Sequence, residues 1–292
     1  MIGGDWMKST IHLMLIFLLF LTGCGNKNSN LHTSEVSVLS INTENANNDF
    51  GDLDEVYSLP DIIDLTFNQV EMEELQEGDA ATDWKYVRSI SFGEIENSNV
   101  VLEIYEITTP SANQINGVLK LNNNQFLMID LPTILIENDS NSCSQVCIFQ
   151  QYFSNQERYK LIGTVDISLN GPGLKKYLIY DETNRKILHL DLWGEPIFID
   201  LDADGNDEFI IQFQGLHLSW PDISIIRSNE GELEISTSVF NSIQKNQGDF
   251  AILSNDKNPP LISILNVESE NEAIYNYTYH QGVLEKVKSN NN

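Results

Sequence analysis

From about residue 56 onward, apolar residues come in short runs, each closed by Asn, Asp, Gly, Ser or Pro. This punctuation constrains the fold more than any other feature of the chain. Runs such as Val87-Arg-Ser-Ile-Ser-Phe92, Val100-Val-Leu-Glu-Ile-Tyr-Glu-Ile107, Gly117-Val-Leu-Lys-Leu121 and Gln125-Phe-Leu-Met-Ile-Asp130 have strand length and are too short for core helices. Pairs of runs around a turn read as hairpins: 118–129 on its Asn run, 177–190, 223–236 and 274–287. Only Asp64–Gln76 and Thr237–Lys245 carry a weakly helical spacing. The expectation is a mainly β domain over residues 55–290.

Some of these strands recur as a block of loop, buried strand, connection and hairpin. Phe198-Ile-Asp-Leu-Asp-Ala-Asp-Gly-Asn-Asp-Glu-Phe-Ile-Ile211 aligns without gaps on Phe250-Ala-Ile-Leu-Ser-Asn-Asp-Lys-Asn-Pro-Pro-Leu-Ile-Ser263. Val165–Ile179 fits as a third copy with two extra residues. The offsets are 34 (166 to 200) and 52 (200 to 252), bracketing the ~40–50 residues of a propeller blade. A β-propeller-like domain of about five blades follows at roughly 45 residues each, with a β-sandwich as the alternative. Ring closure would remove exposed sheet edges, an advantage for a chain of many short strands.

One copy is chemically distinct. Asp200, Asp202 and Asp204 alternate, Gly205 permits a sharp turn, and Asn206 and Glu208 follow. A loop of this pitch can direct the first, third, fifth and ninth side chains and the seventh carbonyl toward one centre. All-oxygen, carboxylate-rich ligation suits Ca²⁺, which accepts 6–8 oxygens at ~2.3–2.6 Å, better than Mg²⁺. With Asp207, five carboxylates fall within nine residues, and they repel one another without a counter-ion. An EF-hand begins the same way but needs a Glu at position twelve and flanking helices. Ile211 stands at that position between strand-like flanks, so an EF-hand is excluded.

The segment 198–211 resembles the calcium loop of FG-GAP/VCBS-type repeats, which build β-propellers in integrin α-chains and many bacterial surface proteins. The resemblance implies side-chain ligation by Asp200, Asp202, Asp204 and Glu208 and carbonyl ligation by Asn206. It implies a structural ion that clamps a turn between two strands. The Phe-Gly and Gly-Ala-Pro signatures of the family are absent. The other copies keep only Asp166, Ser168 and Asn170, or Ser254 and Asp256.

The amino terminus predicts where the chain resides. Lys8 precedes an unbroken apolar run, Leu13–Leu21, too short for the ~20 residues of a membrane span. Such a run reads as the core of a signal peptide over 1–23. Leu21-Thr22-Gly23-Cys24 resembles the bacterial lipobox, which implies cleavage before Cys24 and acylation (palmitate or a similar chain) of its thiol. Several acyl chains anchor a protein far better than one. Residues 24–54, rich in Asn, Ser, Thr and acids, are the expected tether, with a span of roughly 30 Å. With Cys24 assigned to lipid, Cys143 and Cys147 remain as an even pair outside the cytoplasm, and a turn between them would permit a disulfide.

The chain carries 43 acidic and 16 basic residues, net −27. So acidic a surface repels phosphate, and no basic cluster offsets it, which excludes nucleic acid as a partner. No H-E-x-x-H, G-x-S-x-G, Walker or G-x-G-x-x-G fingerprint occurs. His217 and Trp220 form the most suggestive ligand-binding cluster, with Trp220 a stacking platform for sugar or peptide; packing between strands is the competing use. The functional expectation is a lipid-anchored extracytoplasmic module that binds structural Ca²⁺ and serves binding or scaffolding at the cell envelope. It would sit on the cell membrane of a Gram-positive source or the outer membrane of a Gram-negative one, with an envelope protein or glycan as partner. The alternative is an envelope polysaccharide hydrolase or lyase.

Overall fold

The computed structural model describes residues 59–108, 113–137, 145–153, 157–168, 173–215, 221–243, 249–255, 257–266 and 273–288. All lie in one compact unit, Tyr57–Asn292. Strands dominate, and helix among the described residues is confined to α1 (Ile134–Glu137) and α2 (Val239–Ile243), the latter inside the stretch read as helical. The signal segment, Cys24 and the tether lie outside the described residues.

Three short strands open the domain: β1 (Ile62–Asp64), β2 (Phe67–Gln69) and β3 (Glu73–Glu74). Four antiparallel meanders follow. The first sheet is β4 (Lys85–Ile95), β5 (Ser98–Thr108), β6 (Asn113–Leu121) and β7 (Asn124–Leu131). The second is β8 (Val146–Tyr152), β9 (Tyr159–Asp166), β10 (Leu174–Asp181) and β11 (Lys186–Trp193). The third is β12 (Glu195–Ile199), β13 (Glu208–Phe213), β14 (Asp222–Asn229) and β15 (Glu232–Ser236). The fourth is β16 (Asp249–Ser254), β17 (Leu261–Asn266), β18 (Ala273–His280) and β19 (Val283–Lys286).

The opening strands join these sheets in reverse order. β1 pairs with β19, β2 with β15 and β3 with β11. Just beyond, Glu77 bridges Phe126 of β7, and the Leu127 amide donates to the Gln76 carbonyl at 2.8 Å. Residues 59–78 therefore form a strap along the last strand of every sheet, from the fourth to the first.

This strap corrects the helical reading of Asp64–Gln76. Leu65, Val70 and Leu75 are buried in three different cores. Their amides donate to the carbonyls of Gly282, Leu233 and Ile187 at 2.9, 2.8 and 3.0 Å. Packed sheets lie ~10 Å apart. Five extended residues reach ~16–18 Å, enough to cross that gap and still pair, whereas five helical residues advance only ~7.5 Å. One apolar plug per inter-sheet core is thus an extended chain's period across a stack.

The sheets pack face to face, and neighbouring residues on one strand serve different cores. Ile162, Val165, Leu178 and Tyr180 face the first sheet, against Phe92, Leu102, Ile104 and Leu119. Leu161, Tyr177 and Ile179 face the third, against Phe209, Ile211 and Ile226. Ile210, Ile223 and Ile225 turn to the fourth, meeting Ile262, Ile264 and Tyr277. Each such side chain contributes about 1.5–3 kcal/mol on burial. A sheet covered on both faces needs continuous apolar runs, as in Tyr177–Tyr180. β5 instead alternates buried Val100, Leu102 and Ile104 with partly exposed neighbours. Among the described residues no core joins the first sheet to the fourth, and no sheet is closed. Four sheets stand where the repeat arithmetic gave about five blades; two long first-sheet strands, eleven residues each, absorb part of the length.

Two of the three aligned segments occupy equivalent places in their sheets, and the third does not. Segments 198–211 and 250–263 both join the first strand of a sheet to its second. Segment 165–179 spans β9 and β10, the second and third strands of its sheet. There Asp166 accepts from the Ser168 amide at 2.8 Å, and Ser168 Oγ accepts from the Leu174 amide at 3.0 Å.

Candidate metal centre

The acidic loop leaves β12 at Ile199 and re-enters at Glu208, directly opposite in the ladder. Leu201 anchors it, its side chain fully buried in the core between the third and fourth sheets. The Leu201 amide donates to Glu208 Oε2 at 2.7 Å, tying the two ends of the loop together. Between them Ala203 (φ 58°) and Gly205 (φ 90°) take left-handed conformations. A Cβ at Gly205 would meet nothing within 4 Å, so the glycine serves the backbone angle and not a tight contact.

The turn curls its amides onto its own carboxylates. Asp204 N donates to Asp200 Oδ1 and Asp202 Oδ1, both at 3.2 Å, and Gly205 N donates to Asp200 Oδ2 at 3.0 Å. Asn206 N donates to Asp204 Oδ1 at 2.7 Å. Carboxylate oxygens of Asp200, Asp202 and Glu208 consequently lie within 4.8 Å of one another. Oxygens ~2.3–2.6 Å from a shared calcium ion can stand up to about 5 Å apart, so the trio fits one such shell. Asp204 stands outside the trio, on the exposed side of the loop.

The charges in this cluster are poorly compensated. The Asp202 side chain is only 7% exposed. Its nearest cation-forming neighbour is His280 Nδ1, at 3.7 Å and on the adjacent sheet. Burial, followed by the charges of Asp202 and Asp204, pushes the Glu208 carboxyl up to about 7, although the Leu201 amide opposes the shift. Burial with the Glu208 and Asp202 charges also pushes the Tyr279 hydroxyl up to about 12. Tyr279 and His280 of β18 carry no signal in the sequence near the loop; only the packing of two sheets brings them there.

The remaining predicted positions are distributed differently. Cys147 is buried and disulfide-bonded; Cys143, the partner expected for it, lies outside the described residues. So do His217 and Trp220, between Gly215 and Pro221. Asn170 and Asp256 are likewise outside. No family model matches the chain, and neither does any curated protein or solved structure.

Proposed function

We propose that the protein is a lipid-anchored, extracytoplasmic β-repeat module with a structural calcium ion in the β12–β13 loop, used for binding or scaffolding at the cell envelope. The observation that carries the calcium reading is the half-buried trio Asp200, Asp202 and Glu208, whose carboxylate oxygens lie within 4.8 Å of one another. Half-buried carboxylates this close repel one another, and a cation among them relieves the repulsion. An ion held by these oxygens, with Asp204 and the Asn206 carbonyl completing the shell, would fasten the turn between its two strands. It would supply no chemistry beyond charge neutralisation and positioning. The four meanders are read as propeller-type blades, on the strength of the in-frame loops in the third and fourth sheets.

Titration calorimetry with CaCl₂ tests the metal directly: saturable heat near one equivalent is expected, and none at millimolar calcium sinks the assignment. The anchor is tested separately. A Cys24→Ser chain expressed in a bacterium should lose acyl labelling and leave the membrane fraction; unchanged labelling removes the lipobox reading.

A further inference from the structure

Resting on the calcium reading above, we infer that the ion governs the seating of the strap, because the metal loop touches the point where residues 59–78 enter the stack. Three contacts connect them. His280 reaches from the fourth sheet to within 3.7 Å of Asp202 Oδ2 in the third. His280 begins the turn from β18 to β19, and two residues on, the Gly282 carbonyl accepts the Leu65 amide at 2.9 Å. Gly282 is in turn pressed against the strap. A Cβ there would stand 3.2 Å from the Phe67 ring and 3.3 Å from the Arg227 guanidinium. Arg227 lies 3.7 Å over the same ring and is held by Glu234 at 2.9 Å.

The turn therefore lies between the acidic loop, which it meets at His280, and Leu65–Phe67. Without a cation, mutual repulsion of Asp200, Asp202 and Glu208 spreads the loop and removes the surface against which the turn is set. With a cation the loop has one geometry, and the turn presents its carbonyl to Leu65. The other plugs of the strap attach elsewhere: Val70 at Leu233 and Leu75 at Ile187. The coupling should fade along the strap in that order.

Hydrogen exchange by mass spectrometry on the full chain, in excess calcium and in EDTA, with calorimetry on the same sample, tests this. Calcium should slow exchange over Leu65–Gln69 by roughly 5- to 150-fold, the range of a typical coupling between sites, less at Val70 and Leu75, and not in β5. Phe67→Ala should keep the heat of binding and lose the slowing at Leu65. Should Phe67→Ala fold poorly, the gradient in the unaltered chain decides alone. Heat of binding with unchanged strap exchange, or equal slowing in all four sheets, overturns the coupling and leaves the calcium site standing. Absence of binding heat removes both.

Discussion

Two connections occupy the same place in neighbouring sheets and hold their turns by different means. The β12–β13 loop gathers Asp200, Asp202 and Glu208, carboxylates whose charges repel one another at this range. At the equivalent positions the β16–β17 connection has Ile252, Ser254 and Pro260, and Lys257 replaces the turning Gly205. Pro259 and Pro260 fix two backbone angles in advance, so that connection has less entropy to lose on ordering. On the proposed calcium reading, one scaffold carries a turn whose order depends on solution conditions beside one stiffened by its own covalent structure. That reading locates conditional stability in the third sheet.

The comparison breaks most visibly at Asp202. With calcium at a hundredfold excess over its dissociation constant, linkage contributes ~2.7 kcal/mol, or ~5–10 °C in a domain of this size. Asp202→Ala should abolish that gain in a thermal melt, whereas identical melts of the unaltered chain in EDTA and calcium would erase the distinction between the loops.

A smaller effect should appear with pH. The Glu208 carboxyl is raised to about 7 in the folded chain from an ordinary 4.5, so between those values the folded state holds a proton that the unfolded state has lost. Metal-free stability contributed by this group is complete below 4.5 and is lost as pH rises through 7. A bound cation offsets both the burial of the Glu208 charge and its repulsion by Asp202 and Asp204, so the calcium-induced gain in melting temperature should grow from pH 5 to pH 7.5. A gain that is flat or shrinks over that window contradicts the assigned role of Glu208. The least effect belongs to the other loop: Lys257→Ala should move stability by no more than about 0.5 kcal/mol and leave the calcium response intact.

Strand content and hairpins were legible because turn residues punctuate the apolar runs; the Asn run predicted the turn at Asn122 between β6 and β7, where φ is 56°. The acidic loop was legible for the same local reason, its three carboxylates lying within nine positions of one another. The strap was not. Leu65, Val70 and Leu75 repeat at a period belonging to no isolated secondary structure, and their partners Gly282, Leu233 and Ile187 lie far along the chain. Alignment of loop residues also misplaced the second-sheet copy by one strand, since Asp166 and Ser168 resemble ligands by type yet bond their own turn. His280, the neighbour of Asp202, was invisible because nothing in local sequence announces a contact between sheets.

The reversed path of residues 59–78 sets a schedule for maturation. Ile63 lies opposite Leu284, 221 positions later (63 to 284), so the strap, made early in synthesis, has no complete docking edge until the final strands arrive. Loop-closure entropy makes such distant pairing slow. Meanwhile the outer edges of β7, β11 and β15 stand bare as each sheet is completed, open to mispairing. A chain built this way gains its final cross-brace in a single late event, and its window of vulnerability to proteases and aggregation spans nearly the whole time of its emergence.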